Sequence, residues 1–316
     1  MNILVTGANG FVGNSICLKL IQQNHVIKAS MRQATKSLVG ADTMLVEAIK
    51  IDTNWTNYLV DIEIVIHTAA RVHIMGESAA NSLTEFRSVN TAGTLNLARQ
   101  AVKAGVKRFI FISSIKVNGE ETQPSQPFKE DDSSIPTDPY GLSKYEAEQG
   151  LLKLAQETDM EVVIIRPPLV YGSGVKANFF TMMKWINKGV PLPFGSIHNQ
   201  RSLIALDNLV SFIIHCIDHP KAANEIFLIS DGEDVSTTEL LQKVAKAFGK
   251  KTFLLPVPVG IMRFFAKLLG KEDVANRLFG SLQVDSSKAR DLLGWRPVTT
   301  MDEQLKKTAE TYTRNQ

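Results

Sequence analysis

The chain has 316 residues, 44% of them hydrophobic, with 35 Lys and Arg against 32 Asp and Glu for a formal charge of +3. That charge is too balanced to predict a nucleic-acid partner, and a mean hydropathy of −0.02 is that of a globular chain with ample core. No stretch reaches the roughly 18 uninterrupted apolar residues of a membrane span, and the length suits one large or two moderate domains.

In chain order, Ile3, Leu4 and Val5 form an apolar run that reads as a buried parallel strand. The turn Thr6-Gly7-Ala8-Asn9-Gly10-Phe11-Val12-Gly13 follows, and Ser15 to Gln23 reads as a helix with Ile16, Leu20 and Ile21 inward. Strand, glycine turn and helix form the context of a dinucleotide fingerprint. Gly7 permits the tight turn, Gly10 admits backbone close to a pyrophosphate, and Gly13 lets helix and strand approach. The helix N-terminus then faces the phosphates with free N–H groups. An ordinary strand–helix connection is the alternative reading of the glycines alone.

Further strands are expected at His25 to Ser30, Leu45 to Ile51, Ile64 to His67, Phe109 to Ser113 and Val162 to Arg166, with helical patterns between most of them. Such alternation means right-handed crossovers and a parallel sheet. The second strand runs into Ala29-Ser30-Met31-Arg32, with no acid to take a ribose 2′-hydroxyl. Ser30 and Arg32 suit the 2′-phosphate of NADP, or Arg32 stacks on adenine and NAD is kept; both stay open. Asp52 is expected to end the third strand, with a helix-capping role as its alternative. His73 lies in the loop after Ala69-Ala70-Arg71 and reads as a bystander or a ligand contact.

The fifth strand ends in Ser113-Ser114. The stretch Glu120 to Asp138, rich in Pro, Ser and acids, reads as a loop or flap. Pro139 then starts a helix on which Tyr140 and Lys144, four apart, share one face. A free tyrosine titrates at about 10, and a neighbouring ammonium lowers that value. Tyr140 is thereby a candidate general base or acid, Lys144 a partner for a nicotinamide ribose, and Ser114 a holder of the substrate oxygen. A surface Tyr and Lys on a solvated helix is the plain alternative. Beyond Gly172, Glu225 to Ile229 reads as a strand returning to the same sheet. Cys17 and Cys216 sit in apolar helical stretches and read as core thiols of a reducing compartment, and the chain opens directly on a strand, so the expected location is the cytoplasm. His215, Cys216 and His219 share the helix Asp207 to Asp218 but lack a second ligand pair, so no metal site is expected. Val257 to Leu269 is an amphipathic apolar stretch, read as core or dimer contact, with docking on a membrane surface as the alternative.

Taken together, the glycine turn, Ser114, Tyr140 and Lys144 make the chain resemble the extended short-chain dehydrogenase/reductases, specifically the nucleotide-sugar epimerase/dehydratase group. Matching pieces run almost end to end: Val65-Ile66-His67-Thr68-Ala69-Ala70, Val89-Asn90-Thr91-Ala92-Gly93-Thr94, Phe111-Ile112-Ser113-Ser114, Arg166-Pro167-Pro168-Leu169-Val170-Tyr171-Gly172, Arg201-Ser202-Leu203-Ile204 and Leu293-Gly294-Trp295. The subgroup it looks most like is the UDP-hexose 4-epimerases and their relatives, the 4-keto-sugar reductases of surface-polysaccharide synthesis.

The resemblance implies an α/β fold, a Rossmann doubly wound parallel sheet with a smaller C-terminal substrate-binding part. Residues 1–172, with 205–231 returning, would hold NAD or NADP, and 173–204 with 232–316 the nucleotide sugar. It implies a cofactor set of Gly7, Asn9, Gly10, Phe11, Val12, Gly13, Ser30, Arg32, Asp52, Thr53, Ala69, Ala70, Asn90, Tyr140, Lys144 and Pro167. For a UDP-sugar it implies Arg71, Lys116, Asn178, Phe194, Arg201 and Arg277, with Arg201 and Arg277 on the diphosphate, Asn178 near it and Phe194 on the uracil ring or in the core. It also implies a homodimer. The chain departs from the family at Asn118, where a tyrosine is usual, and at Lys116, in a segment of usually small residues. The expected activity is 4-epimerisation of UDP-glucose or UDP-N-acetylglucosamine. The alternatives are reduction of a UDP-4-keto-6-deoxy-N-acetylhexosamine and, from a different class, a non-catalytic dinucleotide sensor; a 4,6-dehydratase is disfavoured because Ile115-Lys116-Val117-Asn118 lacks the acidic pair.

Overall fold

A computed structural model describes residues 1–33, 38–72, 79–132 and 134–314. Apolar runs with no polar interruption become strands buried on both faces: β1 (Asn2–Thr6), β4 (Ile64–His67), β5 (Arg108–Ile112) and β6 (Glu161–Arg166). With β2 (Val26–Met31), β3 (Asp42–Leu45) and β9 (Glu225–Leu228) they form one seven-stranded parallel sheet in the order β3-β2-β1-β4-β5-β6-β9. The order reverses between β1 and β4, which opens a crevice beyond their carboxyl ends, where ligands of such sheets bind.

Alternation along each strand sends neighbours to opposite faces. Ile3, Val5, Ile110, Ile112, Val163 and Ile165 face one core, which α1 (Phe11–Gln22), α6 (Leu206–His215) and α10 (Ser287–Leu293) cover. Leu4, Val65, Phe109, Phe111, Val162 and Ile164 face the other, under α3 (Thr94–Lys103) and α4 (Pro139–Glu157), with Trp55 fully enclosed. Between α2 (Ala79–Phe86) and α3 the residues Arg87–Gly93 form a π-helix.

A smaller three-stranded sheet holds β7 (Leu169–Tyr171), β8 (Arg201–Ala205) and β10 (Asp234–Val235) in the order β10-β8-β7. Its core joins Tyr171, Leu203 and Val235 to α5 (Ala177–Asn187), α7 (Thr237–Ala247) and α11 (Met301–Arg314). A hairpin of α8 (Val259–Leu268) and α9 (Glu272–Phe279) projects beyond it.

Four expectations are corrected. The first helix begins at Phe11, directly after Gly10, and not at Ser15. The third strand is Asp42–Leu45, not Leu45 to Ile51, because the chain leaves the sheet edge and packs half-buried Ile49 against the core. The Ile49 side chain and carbonyl lie against Gly93, where a Cβ would approach them at 2.8 Å. The loop before α4 is fastened to the C-terminal part: Thr122 N–H donates to the Ser281 carbonyl at 2.8 Å, Phe128 N–H to Gln283 at 2.9 Å, and Asp285 N–H to Phe128 at 3.0 Å. And α8 is not core, for none of its residues is buried.

Candidate active site

Gly7 adopts φ +69°, the left-handed region that suits glycine, and a Cβ there would come within 2.9 Å of the Ala69 backbone. A Cβ on Gly13 would clash with the Gly7 carbonyl and stand 2.8 Å from Thr68 Oγ1. The first turn and the loop after β4 therefore meet backbone to backbone, with the N-terminus of α1 exposed at Asn9 and Gly10. Phe11 and Val12 pack on the core beneath. Asn9 Nδ2 donates to the Gln33 carbonyl at 3.2 Å and Ala8 N–H to the Ser30 carbonyl at 3.1 Å, which ties the turn to the end of β2. A dinucleotide pyrophosphate fits this cradle of small residues and free amides.

Ser30 is buried, so of the pair proposed for a 2′-phosphate only Arg32 is exposed. Asp52 does not end β3, which stops at Leu45; it lies in the exposed turn Ile51–Asp52. Thr53 beside it is held by its hydroxyl on Ala48 at 2.9 Å, and its carbonyl receives Asn96 and Gln100 amides. His73 lies outside the described residues.

Three elements bring the chemistry together at the carboxyl ends of β4, β5 and β6. Ser114 caps the 3-10 turn Ile115–Val117, its hydroxyl accepting from Lys116 N–H at 3.2 Å. The Pro167 carbonyl receives Ile115 N–H at 3.0 Å, which fixes this turn to the end of β6. Helix α4 starts against it: Asp138 caps the helix by accepting Gly141 N–H at 2.7 Å, and a Cβ on Gly141 would stand 2.6 Å from the Lys116 carbonyl. Proline at the first helical position and an Asp cap place Tyr140 in the first turn.

Lys144 is buried; its ammonium donates to the Ile112 carbonyl at 2.8 Å and stands 4.3 Å from the Phe111 ring centre. Burial pushes its pKa down to about 7 against the pull of Glu148. The ring of half-buried Tyr140 meets Phe86 edge-on at 5.8 Å. Burial first, and the Asp138 carboxylate second, push its phenol up to about 12. The expected lowering of Tyr140 by Lys144 is thus not what this geometry produces, since burial and the Asp138 carboxylate both disfavour the phenolate. Asn90, buried on the π-helix, donates to Ser143 Oγ at 3.1 Å and to the Arg71 carbonyl at 3.0 Å, while Arg71 N–H donates back to Asn90 Oδ1 at 2.8 Å. Ala69, Ala70 and Arg71 are so brought beside α4.

Two supporting groups escaped the sequence reading. His67, buried at the end of β4, bridges Thr6 Oγ1 at 2.7 Å and Thr94 Oγ1 at 2.9 Å. Burial, then Lys144, depress its pKa to about 3, so it is a neutral link between β1, β4 and α3. Beneath Ser114 runs a buried chain: Ser113 Oγ donates to Glu148 at 2.5 Å, Glu148 pairs with Arg166 at 2.6 Å, and Arg166 donates to Asn118 Oδ1 at 3.0 Å. Glu148 stands four residues beyond Lys144 on the same face, a spacing that could have marked it. Asn118, buried, also donates to the Lys129 carbonyl at 2.6 Å, so it faces this network and not a sugar.

On the other side of the crevice the expected sugar residues are further apart. Lys116 pairs with Glu120 at 2.8 Å and Asp138 at 3.0 Å. Half-buried Arg201 donates to the carbonyls of Arg277 at 2.8 Å and Gly280 at 3.0 Å, and burial lowers its pKa. Arg201 and Arg277 are thereby neighbours, with Arg277 exposed on α9. Phe194 packs at the edge of the smaller core, and its carbonyl accepts Thr238 Oγ1 at 2.6 Å. Asn178 is exposed in the first turn of α5. His215 and His219 make backbone bonds, to the Leu293 carbonyl at 2.9 Å and the Lys221 amide at 3.3 Å.

Residues 3–230 match the profile of the NAD dependent epimerase/dehydratase family. The chain is 50% identical, over 315 residues, to a UDP-glucose 4-epimerase of Vibrio cholerae, covering 98% of this chain and 95% of that one. It superposes on a crystal structure of UDP-glucose 4-epimerase with UDP-glucose from Thermotoga maritima with a TM-score of 0.75 at 24% identity, covering 100% and 99% of the two chains. A UDP-glucuronic acid 4-epimerase from Bacillus cereus, in complex with UDP-glucuronic acid and NAD, gives 0.79 at 21% identity, covering 100% of each. These two likenesses show the fold.

Proposed function

This chain belongs to the NAD dependent epimerase/dehydratase family, and from that premise we propose that it is an NAD(P)-dependent UDP-hexose 4-epimerase acting on UDP-glucose or UDP-N-acetylglucosamine. The observation that carries the reading is the meeting of the Ser114 turn and the Tyr140/Lys144 face of α4 beside the glycine cradle. A bound NAD(P)⁺ would supply the acceptor and donor of hydride at C4. Ser114 Oγ holds the C4 oxygen, and Tyr140 Oη takes its proton in one direction and returns it in the other. Held at about 12, the phenol in this state is a proton donor, ready for the return step. Lys144, held by its bond to the Ile112 carbonyl, orients the nicotinamide ribose. In this reading Arg201 and Arg277 grip the diphosphate and Phe194 meets the base, as the resemblance implies.

A second reading is supported by one feature: β2 leads into Ser30-Met31-Arg32 without a carboxylate, and exposed Arg32 suits NADPH, the reductant of a UDP-4-keto-6-deoxy sugar. We further read the chain as a homodimer of the cytoplasm, where the buried free thiols of Cys17 and Cys216 stay reduced. Residues 1–172 with 205–231 serve the cofactor, and 173–204 with 232–316 the sugar. Proton NMR of UDP-N-acetylglucosamine, with purified protein and a trace of NAD(P)⁺, tests the first reading. Appearance of UDP-N-acetylgalactosamine without net cofactor turnover is expected. Absence of conversion there and with UDP-glucose, with stoichiometric NADPH oxidation on the keto sugar, would replace it with the second.

A further inference from the structure

Helix α8 carries its apolar face outward. Ile261, Phe264, Phe265 and Leu268 stand at spacing i, i+3, i+4 and i+7, one stripe of a helix. They are 50%, 66%, 54% and 72% exposed, and Leu269 is 70% exposed. The inward row is only Val259, Met262 and Ala266, each half-buried, and α8 packs chiefly on α9. A stripe of one Ile, two Phe and one Leu left in water is the mark of an interaction surface.

The charged residues of the helix itself have one sign, with Glu272 of α9 the carboxylate facing Lys267. From Leu240 to Lys271 the sequence holds seven Lys and Arg and no Asp or Glu. Lys243 and Lys246 are neutralised by Glu233 and Asp302 in the smaller domain's own ion pairs. Arg263 and Lys267 form a row beside the apolar stripe, and Lys271 extends it past the helix end. Arg263 lies over the Phe279 ring and bonds Asn276, while Lys267 is 3.9 Å from Glu272.

We infer that α8 docks this protein on an anionic lipid surface. The helix lies in the plane of the interface, with Phe264, Phe265 and Leu268 among the acyl chains and Lys267 and Lys271 at the headgroups. Charge complementarity selects this occupant over a second copy of the chain, since pairing α8 with itself would bring two rows of like charge together. Among the described residues no helix is long and apolar enough to cross a membrane, so the contact is peripheral and reversible. Helix α9 follows directly and carries Arg277, so docking sets the sugar side of the crevice toward the interface.

The test is co-sedimentation of the full chain with phosphatidylcholine vesicles, with and without phosphatidylglycerol, at low and high salt. Binding that needs phosphatidylglycerol and fades with salt is expected. The double variant F264E/F265E should lower partitioning at least about tenfold, and R263S/K267S should remove its salt dependence. Neither should change solution mass or turnover of a soluble UDP-sugar. No binding at low salt, or equal binding by F264E/F265E, would overturn the inference. A parental dimer that F264E/F265E splits would give the face to a second copy instead.

Discussion

On the proposed dinucleotide side of the crevice Gly7, Gly13 and Ala69 meet backbone to backbone, whereas on the proposed sugar side Lys116 and Arg201 are engaged by other parts of the chain. The first kind of contact depends on a missing Cβ and tolerates no change of residue. The second depends on which partner the fold brings near, from the neighbouring loop or from far along the chain: Lys116 reaches Asp138, Arg201 reaches Gly280. A site can therefore be fixed in its cofactor half by residue identity and adjustable in its sugar half by exchange of partners. That difference fits a fold in which one dinucleotide chemistry serves many sugars.

The contrast can be broken most severely at Tyr140. Tyr140→Phe removes only the phenolic oxygen; turnover should fall by about 10² to 10⁴ while the thermal midpoint holds. Parental turnover would move proton transfer elsewhere. Next comes the support beneath Ser114. Glu148→Ala leaves the Arg166 guanidinium buried without its carboxylate, at a cost of about 3–5 kcal/mol in urea unfolding; a loss under about 1 kcal/mol would mean the pair behaves as if solvent-exposed.

A pH dependence follows from His67, whose pKa drops from 6.5 to about 3 on folding. Between those values the unfolded chain binds a proton that the folded chain refuses. Stability is therefore full above pH 6.5 and falls as pH drops toward 3, by up to about 1.4 kcal/mol per unit. His67→Gln should flatten that slope in melts across the range, and an unchanged slope would assign the acid sensitivity to other groups. The smallest effect is expected on the sugar side. Lys116, 29% exposed and paired with two carboxylates, should lose under about 1 kcal/mol as Lys116→Met with KM for the UDP-sugar unchanged. A large rise in KM would instead put its ammonium on the substrate.

Much of this site was legible because its signals are local. A strand, a glycine turn and a helix within Ile3 to Gln23, and Tyr140 four residues before Lys144, need no knowledge of the rest of the chain. Glu148 continued that spacing and was overlooked. Other features had no local signal. Ile49 leaves the strand pattern because Gly93 offers it a bare α-carbon. Asp138 acts as a helix cap and as the charge that, after burial, raises Tyr140. His67 looked like the end of a strand, and only its two threonine partners give it a role.

The stripe in Val257 to Leu269 shows the same division, since the sequence displays its period but not the direction in which it points. By itself, then, the sequence determined the order of elements, the glycine turn and the candidate reacting side chains, because backbone conformation and helical spacing act over a few residues. The tertiary structure decided which charges neutralise one another, which way burial moves Tyr140 and Lys144, and which apolar face is left in water. Those depend on desolvation and on partners tens to hundreds of residues apart, and both exist only once the chain has closed on itself.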